Sequence, residues 1–146
     1  MQNEIRFSFE KTSSSIFTSV FRPIAQIHFR ARQSNFWVPV WGIVDTGADY
    51  ILLPKGYAQK LEINLSRDCR IYKTLGIGGQ ERSCIYLNAK IRIGSFERTA
   101  PIGFLERNDI PPLFGRQGFL ETFELIFKNH ETIFRENQAR METEKK

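Results

Sequence analysis

Cysteine, histidine and aspartate are all scarce in this chain of 146 residues. The two cysteines, Cys69 and Cys84, stand 15 positions apart. They make neither a disulfide framework nor a metal cluster. A cysteine nucleophile would want a histidine partner, and only His28 and His130 exist. There are four aspartates, Asp45, Asp49, Asp68 and Asp109, so any chemistry that needs aspartate must use those. No stretch approaches the roughly 18 consecutive apolar residues of a membrane helix. No run of five or more basic residues occurs either. The net charge of +5 is spread thinly, densest at Arg22, Arg30 and Arg32. It reads as solvated surface, with neither nucleic acid nor membrane expected as partner. The opening MQNEIRFSFEKTSSS lacks the charged start, apolar run and cleavage site of a signal peptide. A cytoplasmic location with free thiols is the expectation.

What the chain does have is apolar and aromatic material. Hydrophobic residues make up 41% of it and phenylalanine alone contributes 13 residues, enough for a real core. Ala25, Ile27 and Phe29 alternate with Gln26, His28 and Arg30, the period of a half-buried strand with His28 on its polar face. Phe36 to Val44 is nearly continuous in apolar residues and predicts a strand buried on both faces, with Pro39 marking a bulge or an edge. The turn Asp45-Thr46-Gly47-Ala48-Asp49 follows, then a short strand Tyr50 to Leu53. Pro54 is placed to open a one- or two-turn helix.

Further on, Lys73 to Arg82 predicts a hairpin with a glycine tip, Gly76-Ile77-Gly78-Gly79. Ile85, Leu87, Ala89, Ile91 and Ile93 alternate as one face of a strand. Ala100 to Leu105 predicts another strand, and Gly118 to Thr122 a short helix. Phe123–Phe127 and Thr132–Arg135 flank a hairpin turn that puts His130 at the surface. The sum is about eight short strands and two short helices, a mostly β chain with closed or sandwich-like packing. Residues 1–21 read as an N-terminal extension, flexible or dimerising, 22–135 as the domain, and 136–146 as a polar tail.

A bare Asp-Thr-Gly triplet is not rare, but its surroundings here are specific. An apolar strand runs into Asp45, the glycine tip lies about thirty residues on, and Leu113-Phe114-Gly115-Arg116 follows after about thirty-five more. That order resembles the retropepsin-like aspartic proteases, and the run LFGRQGFLETFELIF looks like their stand-alone bacterial or archaeal members. The resemblance covers about Arg22 to Arg135. It implies a closed, barrel-like β fold and hydrolysis of peptide bonds in polypeptide substrates, with no cofactor and no metal. It assigns catalysis to Asp45, Thr46 and Gly47. It assigns substrate contacts to Ala48 and Asp49 and to a flap bearing Gly76, Ile77, Gly78 and Gly79. An ion pair between Asp49 and Arg116 belongs to the same pattern.

The chemistry agrees. Water attack on an amide needs one group to accept a proton and another to give one. Two carboxylates about 3 Å apart share a proton and divide those roles. The chain has one Asp-Thr-Gly, so a homodimer is expected to bring two copies of Asp45 together. A catalytically silent peptide-binding or scaffolding domain of the same fold is the alternative.

Overall fold

A computed structural model describes residues 4–76 and 79–136, with side chains described throughout except at 74–76 and 79–81. Strands β1 (Glu4–Ser8), β2 (Glu10–Ser14), β3 (Thr18–Arg22), β4 (Ile24–Arg30), β5 (Trp37–Val44) and β6 (Ile51–Pro54) precede the single-turn helix α1 (Tyr57–Lys60). Then come β7 (Arg70–Gly76), β8 (Gly79–Ile93), β9 (Phe96–Leu105), β10 (Leu113–Phe114), a 3₁₀ turn at Leu120–Thr122, β11 (Phe123–Lys128) and β12 (Glu131–Glu136).

Six strands close on themselves in the order β4-β5-β10-β6-β9-β8, the ring being completed by His28 and Phe29 of β4 against Arg92 and Ile91 of β8. Closure leaves no exposed edge on those strands where they pair. β7 hangs on β8 as the outer arm of a hairpin. The barrel interior is filled by the inward residues of each strand, among them Ala25, Ile27, Phe29, Val40, Ile51, Ile91 and Ile102. Outside the barrel, β1, β12 and β11 form a three-stranded antiparallel sheet, in which Glu4 lies opposite Arg135 and Ser8 opposite Glu131. Phe119 joins this sheet to the barrel, its ring 6.2 Å from Phe114 and 5.6 Å from Phe134. Such edge-on and tilted aromatic pairs add to the energy of simple burial.

The mostly β, closed architecture matches the expectation; several local readings change. The strands that the pattern did not single out are β1, β2, β3 and β10. β5 is buried on one face only: Val40, Gly42 and Val44 point inward, while Trp41 is exposed. Its outward aromatics find other cover, Trp41 edge-on against Phe7 at 5.9 Å and Trp37 beneath the Arg92 guanidinium at 4.4 Å. Pro39 makes no bulge. It pairs in regular register with His28, in the half of β5 that β10 does not reach, so its missing N–H faces an open edge.

Pro54 does not start the helix. It ends β6, parallel to β9 and opposite Leu105, and α1 begins three residues later. Within β8 the alternation breaks, because three steps from Tyr86 to Ala89 match two from Ile102 to Ala100. The extra residue is a β-bulge, and it swaps the faces upstream of it. Cys84 and Tyr86 therefore pack on the core, Ile85 lies outside that cluster, and Leu87 is half exposed. The predicted helix at Gly118–Thr122 is the 3₁₀ turn. His130 is exposed, as expected, and its ring also stacks flat on Phe21 at 4.1 Å. It has φ 57° beside Asn129 at 52°, a left-handed pair that makes a tight hairpin turn.

Candidate active site

The site is built where β5 ends. Val44 donates its N–H to the Pro23 carbonyl at 2.9 Å, and Asp45 donates its own to the Phe114 carbonyl at 3.0 Å. The chain then turns: the Ala48 N–H returns to the Asp45 carbonyl at 3.2 Å, and the Gly47 N–H donates to Asp45 Oδ1 at 2.9 Å. That last bond fixes the carboxylate plane and leaves Oδ2 outside it. A Cβ on Gly47 would stand 3.3 Å from Oδ1, tight against the group it holds. Asp45 is half-buried, while Thr46 and Gly47 form an exposed edge.

β10 is what steadies the turn. It slots between β5 and β6, parallel to the first, with Leu113 opposite Ile43, and antiparallel to the second, with Leu113 opposite Leu52. The Ile43 N–H donates to the Pro112 carbonyl at 2.9 Å, which starts the pairing. The backbone just after β10 then binds the far side of the loop: Arg116 N–H reaches the Ala48 carbonyl at 3.0 Å and Gln117 N–H the Asp49 carbonyl at 2.7 Å. This crossing is so close that a Cβ at Gly115 would lie 2.4 Å from the Tyr50 carbonyl oxygen and 2.7 Å from that of Ala48. Gly42 is under the same constraint from Phe114, whose ring would stand 2.6 Å from a Cβ there.

The Arg116 guanidinium completes the arrangement. Nη1 donates to the Thr46 carbonyl at 2.6 Å and Nη2 to Asp49 Oδ1 at 2.7 Å. One planar fork thus holds both ends of the turn, which a lysine's single ammonium could not match. Asp49 and Arg116 are both substantially exposed, at 78% and 45% of their side-chain surface. Their value is therefore in geometry more than in ion-pair energy.

The structure brings together Asp45, Thr46, Gly47, Ala48, Asp49 and Arg116. Gly76 and Gly79 face each other as the last described pair of the β7–β8 hairpin. Ile77 and Gly78 lie outside the described residues. The hairpin's base joins the barrel where Ser83 pairs with Leu105. Sequence reasoning singled out the Leu113–Arg116 element but missed that two of its residues form a strand inside the sheet. It also missed Gly115 and Gly42 as close-approach positions. A glycine wedged between an apolar pair and an arginine, just after Pro111-Pro112, was the available signal.

Elsewhere the titratable groups do structural work. Burial pushes the Cys69 thiol up to about 11, so it is not a thiolate at neutral pH, and Cys84 is buried. Asp68 is held below the usual carboxylate range by the Asn64 N–H that it accepts at 2.8 Å, with Arg32 and Arg67 adding to it. Among the described residues no helix is long and apolar enough to cross a membrane.

Comparison with known proteins places this geometry. No curated protein matches the sequence. The fold is similar to that of a retropepsin-like aspartic protease from Rickettsia conorii, with a TM-score of 0.61 and 21% identity, over 91% of this chain and 99% of that one. The sequence profile of the aspartyl protease family matches residues 33–117, more than half of the chain and the stretch that carries both Asp45 and Arg116. By that match, the chain belongs to the aspartyl protease family.

Proposed function

We propose that the chain is an aspartic endopeptidase active as a homodimer, in which the Asp45 carboxylates of two copies hold one proton between them. The observation that carries this reading is the half-site itself. Asp45 is pinned by the Gly47 N–H on one oxygen, on a loop whose Thr46–Gly47 edge is exposed in the single chain.

In the dimer the ionised carboxylate takes a proton from a water molecule, and the water oxygen attacks the carbonyl carbon of the scissile amide. The protonated partner gives its proton to the carbonyl oxygen, forming a tetrahedral diol. Collapse breaks the C–N bond: the amine nitrogen leaves with the proton first taken from water, and one diol O–H returns its proton to the partner carboxylate as the product carboxyl forms, which restores the shared-proton pair. The titration belongs to the pair of acids together. The Thr46 hydroxyl bridges the two loops, and Ala48 and Asp49 meet the substrate backbone. The Gly76–Gly79 tip, with Ile77, closes over an extended peptide and excludes water.

Incubating the full chain with a denatured protein at several pH values between about 4 and 7 tests this reading, a range chosen to span the loss of the shared proton. Cleavage should occur, should stop with a transition-state mimic of pepstatin type, and should vanish in Asp45→Asn while that variant still dimerises. Cleavage that survives Asp45→Asn overturns the proposal. A wild-type dimer that binds peptides without ever cutting them favours a silent binding domain instead.

A further inference from the structure

The β2–β3 hairpin has no role in the site described above, and its construction is unusual. Among the described residues it forms a two-stranded sheet of its own, Glu10 opposite Arg22 and Ser14 opposite Thr18. An isolated two-stranded hairpin is marginal in water. Toward its base it is tied down among the described residues: Phe21 stacks on His130, and the neighbouring Phe9 donates its N–H to the His130 carbonyl at 2.7 Å.

Its tip is ordered and apolar at once. Ser14 Oγ accepts the N–H groups of Ile16 at 3.2 Å and Phe17 at 3.1 Å, and Thr18 takes a left-handed φ of 65° to close the loop. The loop so fixed presents Ile16 and Phe17, 79% and 70% exposed, side by side. A set geometry spent on displaying two large apolar side chains to water marks a contact surface.

The hairpin's root says what that contact is. β3 leads through Pro23, whose carbonyl accepts the Val44 N–H, one residue before Asp45. Ile24 then pairs with Ile43. The arm therefore leaves the body beside the loop that, on the reading proposed above, lies on the two-fold axis. Meanwhile β1 and β12, which could have been exchanged between copies, pair with each other in one chain.

We infer that the β2–β3 hairpin is a clasp for a second copy of this chain, its Ile16–Phe17 tip seating on the partner's body beside the paired Asp45 loops. This inference rests on the dimeric protease reading and adds the element that holds the dimer. By two-fold symmetry the contact occurs twice, so a tip variant loses both halves.

The test is sedimentation velocity on the full chain against an Ile16→Asp, Phe17→Asp double variant, with peptide cleavage followed across the same concentrations. The expected result is a dimer dissociation constant at least tenfold weaker in the variant, with circular dichroism unchanged. Its cleavage should recover as concentration rises. A variant that dimerises as tightly as the wild type overturns the clasp while leaving the protease reading standing. A wild-type chain that stays monomeric at every concentration overturns both. Should the variant misfold, amide exchange on the wild type decides: residues 15–19 should lose protection on dilution together with the dimer, and equal exchange in dimer and monomer overturns the inference.

Discussion

Three residues around Asp45 make different demands on the same loop, and substitution separates them. Gly115 has no room at all, since a Cβ would press on two backbone carbonyls that cannot rotate away. Gly115→Ala should cost about 2–3 kcal/mol, as overpacking against rigid surroundings does, and chemical denaturation would read it. Arg116 and Asp49 form the ion pair, yet they should not behave alike. Asp49→Asn removes one exposed charge and keeps an oxygen for Nη2, so stability should stay close to wild type. Arg116→Lys keeps the charge but cannot hold Thr46 and Asp49 together. It should lower the turnover number of peptide cleavage well below that of Asp49→Asn, with little change in Tm. Equal activity in the two variants would show that the fork is not what steadies the turn.

At the scale of elements, the loop before β7 carries its own electrostatic prediction. Asp68 accepts the Asn64 N–H, and its folded-state pKa lies below the ordinary value, about 3.9 for aspartate. A depressed folded pKa contributes stability that is present above the unfolded value and is lost as pH falls through the folded one. Asp68→Asn should therefore lower Tm at pH 7. It should also flatten the acid limb of the Tm profile below about pH 4, the region set by that ordinary value. A variant whose acid limb parallels the wild type would remove Asp68 from the account.

The same scale shows what sequence patterning can and cannot reach. β4 was legible because its alternation is complete and nothing interrupts it. The Asp45 turn was legible because an apolar strand stops at a run of turn residues. β8 misled because a bulge is a mismatch between two strands and leaves no mark on either one alone. Trp41 misled because apolar character says only that a side chain wants cover; here Phe7, far away in sequence, supplies part of it and the rest of the ring stays exposed. β10 was out of reach for a similar reason. Two residues have no period, and their strand character exists only because β5 and β6 stand on both sides. β2 and β3 are polar enough that local pattern gives them no face at all.

For the whole molecule, the number of active sites depends on concentration if each one needs two chains. Initial cleavage rate per chain should be constant well above the dimer dissociation constant and fall in proportion to concentration well below it, so that the total rate becomes quadratic. A dilution series monitored with a fluorogenic peptide measures this. A rate strictly linear in protein down to the detection limit, alongside a monomeric sedimentation coefficient, would rule out the shared site.

The pairing of β1 with β12 sets an order of events during synthesis. Glu4 waits for Arg135, its neighbour in the finished sheet and 131 positions further along the chain. β1 therefore leaves the ribosome long before β12, its pairing strand among the described residues, exists, and closing so distant a contact is slow. Until then its apolar Ile5 and Phe7 stand uncovered, a window in which a chaperone has something to hold.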